Sequence, residues 1–451
     1  MPDIYLKRKI DGDLLAWSRD DRRKPLLIRG ARQVGKSSAV RHLARQHFKY
    51  FLEINFERNK KARDLFAGGG LSPQELAHEL AMDNQVPVIP GETLLFFDEI
   101  QASLPAISSL RYFYEEYREL HVIAAGSLLE FALEELPSFG VGRIRPMYMY
   151  PMSFFEFLSA CKYDMLLQGI KDADCKKPLL KPTHETVIKL LKRFLILGGM
   201  PEVVSEYVHT GDLLRCQQIL DELALTLRSD FAKYKKKVPS LQISAVFNSV
   251  VTQMGKKFVY ANVPGEYTHK QLKEGMALLI MSGLVIPVTH TAANDLPLGA
   301  ETNIKKQKML MLDTGIYQRL LGLPAADMLI YDDFSVVNKG CLTELFVGLE
   351  LLKSDSCYRP KDLYYWHRES RGSNAEVDFV TQIGMDIVSI EVKSGIQGGM
   401  QSMRIFLEEK KSPYGIRSSL ENFGELPDIK IIPAYAIGNL FGQQPMNSNI
   451  K

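Results

Sequence analysis

The sequence predicts an α/β chain: a parallel sheet covered by helices, then a helical stretch closing in a strand pair, then a second α/β segment. Three observations carry that expectation. Residues 1–150 alternate short apolar runs with helical patterns, the βαβ signature of a parallel sheet. From Pro151 the texture changes to long amphipathic helices. Beyond residue 323, strand-like alternation returns around Glu376–Lys393, after an amphipathic helix at Thr343–Leu352.

In chain order, Leu26–Ile28 reads as a buried strand, Ser37–His47 as the helix after it, and Phe51–Asn55, Thr93–Phe97 and His121–Ala125 as further strands. Ser153–Cys161 and Glu185–Leu197 are amphipathic helices, the second stopped by Gly198-Gly199 and Pro201. Leu213–Tyr234 carries a helical apolar stripe at Leu220, Leu223, Leu227 and Phe231, which reads as core packing. Ser244–Met254, Thr268–Lys273 and Glu274–Ser282 read as three helices, followed by strands at Leu284–His290 and Lys308–Leu312. That order suggests a winged helix-turn-helix with a mobile wing tip at 294–307. The expected divisions are thus 1–150, a helical lid or linker at 151–235, a winged-helix-like segment at 236–322, and a last domain at 323–451.

The 451 residues are 46% hydrophobic and 24% charged, which excludes general disorder. A net charge of +3 gives no global case for nucleic acid, so any such case rests on local patches. The five cysteines, Cys161, Cys175, Cys216, Cys341 and Cys357, form no C-x-x-C pair and no zinc framework, as expected in a reducing compartment. The first residues lack the apolar core of a secretory signal, and the most apolar run, Met276–Val288, is too short to span a bilayer. The expectation is a cytoplasmic protein with no membrane partner.

Gly30-Ala31-Arg32-Gln33-Val34-Gly35-Lys36-Ser37 matches the phosphate-cradling pattern G-x-x-x-x-G-K-[ST], directly after a strand and opening a helix. The glycines let backbone N–H groups converge on phosphate oxygens, and the helix adds its positive end. Lys36 is expected to reach the β- and γ-phosphates of ATP, and the Ser37 hydroxyl to ligate Mg2+. Leu94–Glu99 is a second signal: a buried strand delivering Asp98, to hold the metal, and Glu99, to polarise the attacking water. Both motifs arrive at the carboxyl edge of the sheet, where ligands of such sheets bind. Ser127, after the strand 121–125, is either a γ-phosphate sensor or the cap of the helix Leu128–Glu135. Arg143 is either an arginine finger or a solvated loop arginine.

The strings RGARQVGKSS, LLFFDEIQ, AAGSLLE, VGRIRPMYMYPMSFFEF, GGMPEVV and LMLDTGIYQRLLG, together with EVDF and IEVKSG near the C-terminus, resemble a bacterial and archaeal family of AAA-type P-loop ATPases. Members carry an uncharacterised C-terminal domain related to restriction endonucleases. The resemblance covers nearly the full chain and implies an AAA-type ATPase domain, a helical and winged-helix segment, and a restriction-endonuclease-like α/β domain. It implies ATP binding and leaves the cellular role open. Ser37 stands where relatives often have threonine, and either hydroxyl serves magnesium.

Glu376–Val380 and Ile387–Lys393 alternate like two strands of a hairpin, bringing Asp378 towards Glu391 with Lys393 on the same face as Glu391. The set resembles the PD-(D/E)xK nuclease core, with Val377 in place of the proline. There Asp378 and Glu391 would bind a divalent metal, Lys393 would activate water, and Glu344 on the helix would complete the site. A surface ion-pair ladder is the competing reading. Two basic runs, Lys233 with Lys235–Lys237 and Lys305, Lys306 and Lys308, can contact a DNA backbone or serve the helix dipole and solubility. Leu363–His367 reads as the first strand of this domain, with a packed or solvated His367. A nucleotide-controlled binding module that does not cleave, a protein partner, and homo-oligomerisation remain alternatives.

Overall fold

The computed structural model describes residues 5–136, 142–231, 238–323, 339–369, 375–394 and 399–441. The chain divides into two compact units. The first holds residues 1–150, 281–283 and 356–360, and the second holds 151–280, 284–355 and 361–451.

Unit one is built on five parallel strands: β1 Leu26–Arg29, β2 Tyr50–Asn55, β3 Thr93–Asp98, β4 His121–Ala125 and β5 Arg145–Tyr148. They are ordered β2-β3-β4-β1-β5. Every residue of β3 and β4 is buried, as a sheet covered on both faces requires. Four of these strands lie where the apolar runs placed them. β5 escaped notice because Arg145 and Pro146 break the apolar pattern; at a sheet edge a proline is tolerated. The helices Lys36–His47 and Leu104–Glu116 cover the sheet, and Phe97, Ile107, Leu110 and Phe113 pack in its core. Helix Pro73–Asn84 starts on a capping box formed by Ser72 and Glu75.

Unit two combines helices with an eight-stranded mixed sheet. Its strands are β6 Val285–Thr291, β7 Thr302–Met311, β8 Leu363–His367, β9 Glu376–Ile383, β10 Asp386–Val392, β11 Gly415–Ser419, β12 Gly424–Leu426 and β13 Ile429–Pro433. They are ordered β12-β13-β11-β10-β9-β8-β6-β7. β9 and β10 form the expected hairpin, with Ile390 opposite Phe379. The strand pair expected for a wing is present as β6 and β7, but β6 also pairs in parallel with β8 through Val288–His290 and Leu363–Tyr365. Segments expected on either side of residue 322 therefore share one sheet.

Three further expectations are corrected. The helices expected at 268–273 and 274–282 are one helix, His269–Met281, because Gly275 packs beside Val246 without breaking it. The wing tip expected at 294–307 is anchored at Leu298, while Asn294, Asp295, Pro297, Gly299, Ala300, Ile304 and Lys305 are exposed. Leu298 is buried with Ala293 against Trp366 and Phe406, and the Thr291 hydroxyl donates to the Leu298 carbonyl at 2.9 Å. Lys308, read as part of a solvated basic run that could contact a DNA backbone or serve solubility, is buried. Of the other basic residues, Lys305 is exposed and Lys306 pairs with Glu369, while Lys233 and Lys235–Lys237 lie outside the described residues.

Two strings singled out in the sequence meet here. A Cβ at Gly198 would stand 2.1 Å from Asp313 Oδ1, and one at Gly199 would stand 2.1 Å from the Met152 carbonyl oxygen. Asp313 is buried. It accepts from the Gly199 N–H at 2.6 Å and caps the helix Thr314–Leu320 through Gly315 and Ile316. The glycine pair thus lets one helix end dock on the carboxylate that starts another.

Candidate functional site

β1 runs straight into the glycine loop. Gly30 sits at φ +139° with Met149 O at 2.1 Å from any added Cβ, so the loop passes closer to β5 than a side chain allows. Gln33 and Gly35 adopt left-handed backbone at φ +62° and +95°, and the helix begins at Lys36. These turns curl residues 30–35 round the helix N-terminus, the arrangement that presents backbone N–H groups to an anion. Ala31 and Val34 are buried, whereas Arg32 and Gln33 are at least partly open to solvent. Lys36 is buried, and its Nζ donates to the Gly30 and Ala31 carbonyls at 2.9 and 2.7 Å. Burial pushes its pKa down to about 8, against the pull of Glu99 and Asp98.

The loop has a support that sequence reasoning missed. Arg8 is buried; its Nη1 donates to the Val34 carbonyl at 2.8 Å and its Nη2 to the Tyr150 carbonyl at 2.7 Å. Nothing in the charged opening LKRK distinguishes this arginine from a solvated one.

Beyond β4, β3 delivers the carboxylates. The Ser37 hydroxyl donates to Asp98 Oδ1 at 2.8 Å, and Asn55 Nδ2 donates to Asp98 Oδ2 at 3.2 Å. Burial raises the Asp98 pKa, and the neighbouring Glu99 and Glu53 raise it further while Ser37 opposes. Glu99 sits at φ +49°. Its Oε2 accepts from Gln101 Nε2 at 2.6 Å and from the Ser127 hydroxyl at 3.3 Å. A Cβ at Gly126 would lie 2.1 Å from Gln101 Oε1, so the glycine before Ser127 makes room for the glutamine that holds Glu99. Lys36, Ser37, Asp98, Glu99 and Ser127 therefore gather at one sheet edge. Asn55 and Gln101 join them, and their only sequence signal is a polar residue ending a strand or following an acidic pair. Hydroxyl and carboxylate oxygens at Ser37 and Asp98 are a hard-cation donor set, suited to magnesium. Arg143 pairs with Glu115 on the helix Leu104–Glu116.

The second cluster lies in unit two. Lys308, on β7, is 1% exposed, and its Nζ lies 3.1 Å from Glu344 Oε1, 2.6 Å from Glu376 Oε1 and 3.6 Å from Asp378 Oδ1. Asp378 Oδ2 accepts from the Val392 N–H at 2.8 Å, and Lys393 Nζ lies 2.7 Å from Glu391 Oε1. Asp378, Glu391, Lys393 and Glu344 thus occupy one neighbourhood, as expected, with two unexpected members, Lys308 and Glu376. Burial pushes the Glu344 pKa up to about 7, with Lys308 opposing and Asp378 reinforcing. Burial also raises Glu391, whose Oε2 is shielded with no hydrogen-bond partner among the described residues. For Lys308 burial works downward, yet Glu344, Asp378 and Glu376 outweigh it and hold the ammonium above its ordinary value. The donor set fits a cation, and the chain supplies one from β7. Lys308, Glu344 and Glu391 are buried, while Asp378 and Lys393 are partly exposed.

Residues 22–158 match the family model of an AAA domain. Residues 188–327 and 339–437 match two domains of unknown function, DUF8612 and DUF4143. Among curated proteins none matches. Solved structures give loose likenesses. One is a signal transduction ATPase with numerous domains and a tetratricopeptide repeat sensor from Pyrococcus horikoshii, with 12% identity, 78% of this chain, 46% of that chain and a TM-score of 0.28. Another is the unliganded Pif1 from Bacteroides sp, with 16% identity, 37% of this chain, 47% of that chain and a TM-score of 0.21. A third is the Hsp104–ADP complex of S. cerevisiae, with 14% identity, 61% of this chain, 38% of that chain and a TM-score of 0.27. The chain spans less than half the length of each, and overlaps this loose carry no argument about function. No described helix is long and apolar enough to cross a membrane. With its glycine loop and parallel sheet, the segment 22–158 is thus similar to an AAA domain.

Proposed function

We propose that the protein binds ATP and hydrolyses it with magnesium, and that its nucleotide state governs a nuclease-like C-terminal half. One observation carries the first part: the Ser37–Asp98 hydrogen bond beside a Glu99 carboxylate held by Gln101 and Ser127. Ser37 and Asp98 would hold magnesium, which when bound would supply positive charge against the phosphates. Lys36 would leave the Gly30 and Ala31 carbonyls for phosphate, and the backbone of residues 31–35 would donate to it. Glu99, aimed by Gln101 and Ser127, would take the proton of the attacking water. Arg143 would have to leave Glu115 to serve as a finger. The test is nucleotide binding and phosphate release by the full-length protein. Lys36→Ala is expected to abolish binding. Glu99→Gln is expected to keep binding and slow release by ~10²-fold or more. Unchanged turnover in Glu99→Gln sinks the assignment.

In this reading the C-terminal half acts on DNA or a protein partner, and Asp378, Glu391 and Lys393 cut DNA with magnesium. Lys308 favours a second reading, in which that half binds a partner without cleaving. Its ammonium sits among Glu344, Glu376 and Asp378, where a nuclease would place its divalent ion. Incubating the protein with plasmid and single-stranded DNA, magnesium or manganese, and with or without ATP separates the two. Cleavage lost in Asp378→Ala establishes the nuclease, and its loss in Lys36→Ala shows coupling. ATP hydrolysis with no cleavage leaves the binding module.

A further inference from the structure

Where β6 joins β8, across the Tyr365 ring from Lys308, two histidines and a glutamate meet. His290 on β6, His367 ending β8, and Glu369 just beyond it each offer one ligand atom, and these atoms lie within 4.8 Å of one another. His290 is 2% exposed, and its ring lies 4.4 Å from that of His367, centroid to centroid. Its Nε2 contacts the His367 carbonyl oxygen at 3.3 Å. A carbonyl only accepts, so Nε2 carries the proton and Nδ1 holds a bare lone pair. That Nδ1 is buried with no hydrogen-bond partner among the described residues, and so is Nδ1 of His367. Burying an unsatisfied ring nitrogen is unfavourable by roughly 1–3 kcal/mol, and here two sit side by side. An imidazole that donates through one nitrogen to a backbone carbonyl and faces a shielded space with the other has the outer-shell arrangement of a metal-bound histidine.

We propose that His290, His367 and Glu369 bind a zinc-class divalent ion. Two neutral imidazoles and one carboxylate form a three-ligand set of a kind zinc accepts, leaving one position for water. Bonds of ~2.0–2.1 Å set tetrahedral ligand–ligand separations of about 3.3 Å. From the present 4.8 Å span, closure asks for about an ångström or two, shared among three side chains. Glu369 is exposed and is held by Lys306, an ion pair it would exchange for the metal. The location gives the ion a job. β6 and β8 are joined by three residue pairs, and the ion would clasp the seam at its His290 end. The inference is independent of the ATP reading and of the carboxylate cluster.

The test loads the chelator-treated full chain with Zn2+ or Co2+, removes free metal, and measures bound metal by mass spectrometry and cobalt ligand-field absorption. Wild type is expected to retain one equivalent with a tetrahedral cobalt spectrum. His367→Ala and Glu369→Gln, both at the seam's accessible end, are expected to lose it, as is His290→Gln. Asp378→Asn is expected to keep it. A metal-free wild type, or His367→Ala that retains the equivalent, overturns the proposal. Loss in Asp378→Asn with retention in the histidine variants also overturns it, by placing the ion in the carboxylate cluster. Far-UV circular dichroism on each variant separates ligand loss from unfolding, and Glu369→Gln, at an exposed position, remains informative if His290→Gln does not fold.

Discussion

Replacing Lys308 by methionine removes the one ammonium shared by Glu344, Glu376 and Asp378 while keeping most of the side-chain volume. Glu376 is 40% exposed at its side chain and contributes little to the loss. Glu344 and Asp378, at 11% and 22%, are the groups left uncompensated. Deleting one partner of a buried pair is destabilising by about 3–5 kcal/mol, and partial solvation of Asp378 puts the expected loss near ~3 kcal/mol at pH 9. Acid relieves it. Glu344 titrates at about 7 with Lys308 present and higher without it. Between those two values each pH unit downward returns ~1.4 kcal/mol to the variant, and below 7 the gap is constant. The deficit should therefore shrink as pH falls from 9 to 7 and stay level below that. The chain has two tryptophans, Trp17 and Trp366, so urea titration in a Trp17→Phe background reports on unit two through Trp366 fluorescence. Manganese should recover part of the loss in the variant and do less for wild type, because a ligand bound at 100 times its Kd adds ~2.7 kcal/mol. A deficit below ~1 kcal/mol at pH 9, or one that ignores pH, would refute a buried, charge-coupled cluster.

Three other outcomes are expected. His121, packed between Trp17 and Phe48 and donating to the Ser18 carbonyl, is held neutral by burial with its pKa lowered to about 4. Since this folded value lies below the ordinary one, unit one should lose about 3 kcal/mol as pH falls from 6.5 to 4, read by Trp17 fluorescence in Trp366→Phe; His121→Gln should flatten that slope. Arg8→Ala should weaken ATP binding about tenfold by freeing the Val34 turn, with little change if the loop holds itself; isothermal titration decides. Gly199→Ala, whose Cβ would meet the Met152 carbonyl oxygen at 2.1 Å, should destabilise unit two by at least ~2 kcal/mol in the same urea assay, and a neutral effect would contradict the docking described.

The candidate nucleotide site was legible because its signals are local. Eight consecutive residues set the loop, and an apolar run announces the strand that carries Asp98 and Glu99. The groups that position those residues were not legible. Arg8, Asn55 and Gln101 act across the sheet, and each looks like an ordinary surface polar residue along the chain. In unit two the hairpin of β9 and β10 followed from alternation and its Gly384-Met385 turn. The placing of β6 and β7 did not, because a strand pair looks the same whether it stands as a wing or joins a sheet through a parallel partner many residues later. The same blindness grouped Lys308 with a solvated basic run: its neighbours Lys305 and Lys306 are exposed or paired, and nothing in KKQK marks the inward one.

The sharing of one sheet by β6–β7 and β8–β13 also defines the smallest piece that can stand alone. A fragment cut at residue 339, where the match to the last domain begins, would keep Glu344, Glu376 and Asp378 but leave behind the lysine that neutralises them. It would also turn β8, an interior strand with Tyr365 and Trp366 buried, into a bare edge open to pairing with other chains. The autonomous folding unit thus begins well before the last family match, and expressing that match by itself should yield aggregate.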